Sequence, residues 1–205
     1  MKKIQVVAFD CDGVMFDSTK ANRAYYNDIL SHFNAPDLTE KQFAFCHMHT
    51  ADESIAYIFK DKNEFEQAQT YRKSLSYHQF ISYMKIEPHL ISLLKKLRLN
   101  YHTAVATNRT DTMESVLEEH NLENLFDLVI CALDVKFPKP HPEPLNKVLN
   151  HFKIKPDQMI YIGDSELDQI ASKAAGIPFI ACNNHALKAL HHITSLKELE
   201  TILAL

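Results

Sequence analysis

Residues 4–14 read Ile-Gln-Val-Val-Ala-Phe-Asp-Cys-Asp-Gly-Val, a short apolar run that leads directly into two acids and a glycine. The apolar run predicts a buried strand, with the carboxylates of Asp10 and Asp12 at its carboxyl end. Ionised carboxylates are costly to bury close together unless a cation or strong hydrogen bonds compensate. Gly13 permits a sharp turn and a close approach of the backbone to a ligand. The stretch therefore predicts a divalent cation and a carboxylate nucleophile at the edge of a parallel sheet.

Similar apolar runs recur along the chain, with segments of helical spacing between them. Strands are predicted at 102–106, 128–131, 159–162 and 178–181, and helices at 91–99, 111–122 and 145–152. Alternation of this kind is typical of a parallel sheet with helices on both faces, which binds ligands at the carboxyl ends of its strands. We predict an α/β fold with a Rossmann-like, doubly wound parallel sheet.

One segment interrupts this alternation. Residues 18–85 contain no convincing buried strand, and helical spacing predicts helices at 22–33, 40–46, 52–59 and 64–84. We predict that 18–85 form an inserted all-helical cap domain, and that 1–17 and 86–205 form the α/β core domain. The insertion begins directly after the first acids, so the cap is expected to cover the strand ends. Asp37 or Thr39 is expected to cap the second helix, and a capping box, Ser195 with Glu198, is expected to open a final helix.

Composition narrows the class of partner and the compartment. The chain has 205 residues, is 46% hydrophobic and carries a formal net charge of −4, which supports a sizeable core and gives no reason to expect nucleic acid or an anionic membrane as partner. No apolar stretch reaches the length of a bilayer span. The four cysteines lie far apart, a pattern typical of reduced thiols, and we predict a cytoplasmic protein.

Further polar residues follow the other predicted strands. Thr107 and Asn108 come directly after 102–106, and Asp164 follows 159–162. Asp168 lies one helical turn beyond Asp164, so both side chains can face the same side. Lys139 stands between two prolines, whose fixed backbone angles make a stiff mount from which the ammonium can be aimed.

These residues form four motifs: Asp10-x-Asp12-Gly13-Val14, Thr107-Asn108, Lys139-Pro140 and Gly163-Asp164-x-x-x-Asp168. In this order they resemble the haloacid dehalogenase superfamily, within the group of phosphatases and phosphomutases that carry a helical cap. Phe16-Asp17-Ser18 extends the first motif as in phosphoglycolate phosphatase-like members. Four motifs in order, each at a strand end, are far more specific than any one of them.

The resemblance implies a magnesium-dependent phosphatase that hydrolyses a small phosphorylated metabolite through an aspartyl-phosphate intermediate. Asp10 would attack phosphorus, and Asp12 would protonate the leaving oxygen and later activate water. Thr107 would hydrogen-bond the transferring phosphoryl oxygens, while Lys139 would neutralise their charge and that on Asp10.

The resemblance also implies the residues that hold Mg²⁺. They are the Asp10 carboxylate, the Asp12 backbone carbonyl and the Asp164 carboxylate, which match the preference of Mg²⁺ for oxygen ligands. Asp168 would bind through a metal-bound water or orient Lys139.

The residues expected to bind substrate are Thr107, Asn108, Arg109, Lys139, Arg23, His47 and His49. His47 and His49 lie where related caps approach the active site, and they have no third metal ligand at matching spacing. A second anionic group on the substrate would need a cation. Arg23, Arg72 and Lys73 in the cap could supply it, and Arg109, next to Thr107 and Asn108, is the better candidate. Arg72 and Lys73 are expected on a solvated face. Glycines of the relatives are missing at 47–50 and at His89, so the substrate of phosphoglycolate phosphatase is not carried over.

Two other functions stay open at this stage. A sugar-phosphate mutase of the beta-phosphoglucomutase type would use the same four motifs and differ in how its cap excludes water. A catalytically idle binding or regulatory module is the alternative from a different class. Asp12 argues against the dehalogenase branch, which needs no acid there. We expect a monomer or a homodimer.

Overall fold

The computed structural model describes residues 4–205. Its elements are β1 Val6–Phe9, β2 Phe16–Asp17, α1 Thr19–His32, α2 Glu40–Met48, α3 Ala51–Ile58, α4 Lys62–Ser74, α5 His78–Ile81, β3 Lys85–Ile86, α6 Leu90–Leu97, β4 His102–Ala106, α7 Met113–Glu119, β5 Leu128–Ile130, α8 Glu143–Phe152, β6 Met159–Gly163, α9 Glu166–Ala175, β7 Phe179–Cys182, β8 His191–Ile193 and α10 Glu198–Ile202. No helix within this described range has the length and hydropathy that a bilayer span requires.

Six strands form one parallel sheet in the order β5-β4-β1-β6-β7-β8. Counted along these strands alone the order is 3-2-1-4-5-6, which is the Rossmann order. Successive residues of β1 point to opposite faces of the sheet. Val6 and Ala8 pack with residues of α8 and α9, whereas Val7 and Phe9 pack with residues of α6 and α7. The predicted doubly wound α/β sheet is confirmed.

The first strand lies at the centre of this sheet, between β4 and β6. All four of its residues are buried, as its apolar sequence predicts. Strands β4 and β5 lie on one side of β1, and β6, β7 and β8 lie on the other, so the strand order reverses at β1. Open α/β sheets leave a crevice for ligands at such a point. Residues that follow β1, β4 and β6 therefore meet at one place.

A helical segment is inserted between β2 and β3. These two short strands pair antiparallel, with Phe16 opposite Ile86 and Asp17 opposite Lys85, so the chain leaves and re-enters the core through one two-stranded connection. Five helices, α1 to α5, lie between them. Thr39, not Asp37, caps α2: its hydroxyl accepts from the Gln42 amide, and the Gln42 side chain accepts from the Thr39 amide. The assignment of 18–85 to a separate domain stays a prediction.

Three elements differ from the sequence-based expectation. The helix expected over 64–84 is two helices, because the chain is extended at Leu75, and the break lets Tyr77 and Phe80 pack edge-on against Tyr25. The strand β8 was not expected, since two of its three residues are exposed. Only half of the capping box at Ser195 forms. The Glu198 side chain accepts from the Ser195 amide at 3.1 Å, but the Ser195 hydroxyl accepts from the Lys197 amide, and α10 begins only at Glu198.

Candidate active site

The predicted site residues lie at the carboxyl ends of the three central strands. Asp10 and Asp12 follow β1, Thr107 follows β4, and Asp164 follows β6. Adjacent parallel strands end at the same edge of a sheet, so residues far apart in sequence become neighbours.

Gly13 allows the first motif to approach the last one. Its φ is +75°, a left-handed conformation that favours glycine, and a Cβ atom there would overlap the Asp164 carboxylate. Gly163 is similarly tight, because a Cβ atom there would meet the side chain of Asp168. Two of the three glycines in the chain are therefore required by close packing of acidic side chains.

Lys139 forms the centre of a buried polar cluster. Its ammonium lies 2.9 Å from Asp10 Oδ1, 2.6 Å from Asp168 Oδ1 and 3.0 Å from the Tyr161 hydroxyl. An ammonium has three N–H donors, and these three acceptors match them. Burial by itself lowers the pKa of Lys139, but the carboxylates of Asp10 and Asp168 outweigh burial and hold it above its usual value. The lysine is therefore a fixed positive charge.

Tyr161 is a member of this cluster that sequence reasoning missed. It is fully buried in β6, and its hydroxyl oxygen lies 2.8 Å from Asp168 Oδ1 and 2.9 Å from the Ala106 carbonyl oxygen. The available signal was a phenol within an otherwise aliphatic strand, three residues before Asp164. A buried tyrosine hydroxyl usually has a hydrogen-bond partner.

Three carboxylates form an acidic cluster. Asp10, Asp164 and Asp168 each offer one oxygen, and these oxygens lie within 4.8 Å of one another. Burial raises the pKa of Asp10 to about 7 against the lowering effect of Lys139. Burial, together with Asp168 and Asp10, raises the pKa of Asp164 to about 8. A hard divalent cation would offset the electrostatic repulsion between these carboxylates. Their oxygens form an all-oxygen donor set, which fits such an ion.

Asp12 has a different environment, although it is two residues from Asp10. The Arg109 guanidinium donates from Nε to Asp12 Oδ2 at 2.9 Å and from Nη2 to Oδ1 at 2.7 Å, and the Ser18 hydroxyl also donates to Oδ1. Burial raises the pKa of Asp12, but the pairing with Arg109 outweighs it and holds the pKa below its usual value. The two acids of the first motif are thus distinguished by their partners.

A chain of hydrogen bonds connects Asp12 to the inserted helices α1 and α2. Arg109 Nη2 donates to the Tyr77 hydroxyl at 3.1 Å, and that hydroxyl donates to Asn22 Oδ1 at 2.6 Å. Asn22 Nδ2 lies 3.1 Å from Nδ1 of His47. Asn22 and Tyr77 are also residues that the sequence did not single out, because their partners lie far away along the chain.

Thr107 and Asn108 make different contacts. Thr107 is buried beside the acids, and its hydroxyl accepts from the Arg109 amide at 3.2 Å. The Asn108 side chain bonds backbone groups: Oδ1 accepts from the Lys139 amide, and Nδ2 donates to the carbonyls of Lys139 and Met48. Asn108 thus holds the lysine loop in place, which differs from the expected substrate contact.

A partly open cavity of about 60 Å³ lies between the strand ends and the inserted helices. Its lining includes Asp10, Asp12, Thr107, Asn108, Arg109 and Asp164 beside the sheet, and His47, His49 and Arg72 from the inserted helical segment. Arg23 lies elsewhere: it pairs with Glu40 at 2.9 Å and stacks on the Phe43 ring. Of the expected cap residues, the structure brings the two histidines to the cavity and leaves Arg23 outside it.

The sheet has the Rossmann strand order, an acidic site centred on Lys139 at its central strand ends, and helices above that site. This combination is typical of one class of α/β enzymes. Comparison with known proteins identifies the family: residues 7–182 match the haloacid dehalogenase-like hydrolase family, and the chain belongs to it. The predicted resemblance and the prediction of a hydrolase are confirmed.

Similar proteins include two named enzymes and a hydrolase whose crystal structure is known. Pyrophosphatase PpaX of Bacillus mycoides is 25% identical over 87% of this chain and 83% of its own length. Phosphoglycolate phosphatase of Aliivibrio fischeri is 28% identical over 90% of this chain and 84% of its own length. The crystal structure of a HAD-superfamily hydrolase, subfamily IA, variant 1, from Geobacter sulfurreducens PCA is 36% identical, covers 98% of this chain and 96% of that chain, and has a TM-score of 0.79.

Proposed function

We propose that this chain is a magnesium-dependent phosphatase that hydrolyses a small phosphorylated metabolite through an aspartyl-phosphate intermediate. The observation that carries the proposal is the position of Lys139, whose ammonium contacts both Asp10 and Asp168 inside the acidic cluster. Relatives named as a pyrophosphatase and a phosphoglycolate phosphatase support the same chemistry.

Asp10 is the nucleophile of this mechanism. Its Oδ1 atom is held by the Cys11 amide at 2.7 Å and by the Lys139 ammonium at 2.9 Å, so the carboxylate has a defined direction. A carboxylate oxygen of Asp10 forms a bond to phosphorus while the bond from phosphorus to the leaving oxygen breaks. The leaving oxygen takes a proton from Asp12. Water then attacks the aspartyl-phosphate, releases inorganic phosphate and restores the Asp10 carboxylate.

Asp12 acts as acid in the first step and as base in the second. In the ion pair with Arg109 it is ionised, the form that accepts a proton from the attacking water. Separation from Arg109 raises its pKa and allows it to carry a proton for the leaving group. Arg109 is thus a positioning residue for Asp12.

The carboxylates of Asp10 and Asp164 and the Asp12 backbone carbonyl would hold Mg²⁺. When bound, the ion neutralises charge between these acids and the phosphoryl oxygens. Asp168 has other partners: Oδ1 bonds Lys139, and Oδ2 accepts from the Ser165 amide at 3.1 Å. Its role in this proposal is to orient Lys139 rather than to bind the ion directly. The cytoplasmic location and the monomeric or dimeric state stay predictions.

The test is release of inorganic phosphate from p-nitrophenyl phosphate with Mg²⁺ and with a chelator. We expect turnover that requires the ion and is lost in Asp10→Asn, whereas the exposed control Asp37→Asn keeps it. A folded, metal-binding protein with no turnover of any phosphoester in a broad panel would contradict the proposal and favour a binding module. Accumulation of an isomerised sugar phosphate would indicate the mutase instead.

A further inference from the structure

Arg72 is a buried charge on a helix, α4, whose other charged residues are exposed. Arg72 is 7% exposed, and it lies on the inner side of α4 together with Ala68, one turn earlier. Its neighbour Lys73 is exposed. The sequence-based expectation of a solvated face holds for Lys73 and is wrong for Arg72. Arginine is rarely buried in the absence of a specific partner, so its place in the cavity wall calls for an explanation.

The protein partners of Arg72 leave it available to a ligand. Nε donates to Gln69 Oε1 at 2.9 Å, and Nη2 donates to Asp52 Oδ1 at 2.8 Å. The Asp52 side chain is 62% exposed, so this carboxylate faces water while the guanidinium lies inside. Because Asp52 is largely exposed, its carboxylate keeps most of its hydration whether or not it pairs with Arg72. A ligand anion inside the cavity can therefore replace Asp52 at low cost.

A second hydrogen-bond donor lies beside this guanidinium. Tyr25 is 6% exposed and lines the same cavity. Burial raises the pKa of Tyr25 to about 12 against the lowering effect of Arg72, with which the hydroxyl is hydrogen-bonded, so the phenol is protonated at neutral pH. Asp111 also faces this end of the cavity, but it is exposed, where water and salt screen its charge.

The cavity thus has two ends of different character. Asp10, Asp12 and Asp164 line one end, where the metal and the phosphoryl group would bind. Arg72 lies beyond a row of contacts from that end: Arg109 donates to Asp12 and to Tyr77, and Tyr77 packs edge-on against Tyr25, the hydrogen-bond partner of Arg72. Arg109 lies between the two ends and is already paired with Asp12 through two hydrogen bonds.

We propose that Arg72 binds a second anionic group, a carboxylate or a phosphate, on the leaving group of the substrate. The inference rests on the proposed phosphatase function and narrows its substrate to a small phosphate compound with a negatively charged leaving group. The planar guanidinium suits this role because it can hold two oxygens of either anion at once.

The experiment compares kcat/KM for three phosphate esters with two-carbon leaving groups. Ethyl phosphate has a neutral leaving group, phosphoethanolamine a cationic one and phosphoglycolate an anionic one; inorganic pyrophosphate tests phosphate in place of carboxylate. The wild-type protein is expected to prefer phosphoglycolate or pyrophosphate over ethyl phosphate, and the preferred one identifies the second group.

The variants move this preference in opposite directions. Arg72→Gln is expected to lower the ratio of kcat/KM for the anionic substrate to that for ethyl phosphate by about ten- to hundredfold, the range for loss of a charge-assisted hydrogen bond. Asp52→Asn is expected to raise the same ratio, because it removes the carboxylate that competes for Arg72. Lys62→Gln makes the same charge change at a side chain of α4 that is 90% exposed, and is expected to leave the ratio unchanged.

Several results would overturn the inference. One is a wild-type preference for ethyl phosphate or phosphoethanolamine; another is an unchanged ratio in folded Arg72→Gln. If Arg72→Gln fails to fold, Asp52→Asn is the test. An unchanged or lower kcat/KM ratio in that variant would show that Asp52 does not compete with the substrate anion for Arg72. If neutral esters are turned over and the variants do not change the kcat/KM ratio, the phosphatase proposal stands and only the inference about Arg72 is refuted. No turnover of any phosphoester removes both.

Discussion

Replacing Tyr161 with phenylalanine deletes one oxygen atom from the centre of the buried cluster. That oxygen accepts from Lys139 at 3.0 Å and contacts Asp168 at 2.8 Å and the Ala106 carbonyl at 2.9 Å. Hydrogen bonds to charged groups contribute about 1.5–3 kcal/mol each, and neutral ones about 1 kcal/mol. Because the remaining groups can partly re-pair, we expect a net loss of about 2 kcal/mol in the free energy of unfolding. A chain of this size should then show a Tm lower by about 4–8 °C.

Turnover should change as well, because Lys139 loses one of the three acceptors that direct its ammonium. We expect kcat on an aryl phosphate to fall about tenfold, equivalent to about 1.4 kcal/mol of transition-state stabilisation. KM should stay the same, since the hydroxyl lies behind the lysine in a fully buried residue. Urea unfolding and steady-state kinetics measure the two effects.

A matched control is Tyr101→Phe, which removes a hydroxyl that donates to the Leu203 carbonyl at 3.1 Å, remote from the strand ends. It should cost about 1 kcal/mol of stability and leave kcat unaltered. If Tyr161→Phe keeps the wild-type kcat and loses no more stability than this control, the hydroxyl does not position Lys139.

Three further predictions concern the acidic residues and Gly13. Calorimetric titration with Mg²⁺ should show weaker binding in Asp164→Asn than in Asp12→Asn, because the Asp12 carboxylate is already paired with Arg109; the reverse order would refute the ligand assignment. Without divalent metal, the free energy of unfolding should fall as pH rises from about 4 to about 8, since the pKa values of Asp10 and Asp164 are raised from 3.8 to about 7 and about 8 on folding. Chemical unfolding across this range should show a smaller slope in Asp164→Asn, and an equal slope would contradict the assignment. Gly13→Ala should weaken Mg²⁺ binding in the same titration. Gly176→Ala, which has a similar φ of +70° and where a Cβ atom would only reach ordinary contact with Pro156 at 3.8 Å, should lose only stability; equal binding by both would show that crowding of Asp164 is unimportant.

The core fold could be predicted because its determinants are local. The apolar runs at β1, β4 and β6 indicate strands by composition alone, and each is followed directly by its polar residues. The edge strand β8 and the break between α4 and α5 could not be found in this way. The first depends on pairing with β7, and the second on aromatic packing against Tyr25.

The amino-acid order by itself determined which residues stand at the ends of the central strands, since strand ends are set by short-range pattern and parallel strands end at a common edge. The resemblance already led us to expect Lys139 beside Asp10 and Asp168. Only the tertiary structure decided that Tyr161 joins them, that Arg109 pairs with Asp12, and that Arg72 is inside while Lys73 is outside. The physical reason is that the burial and charge environment of a side chain depend on segments distant in sequence, which no local pattern encodes.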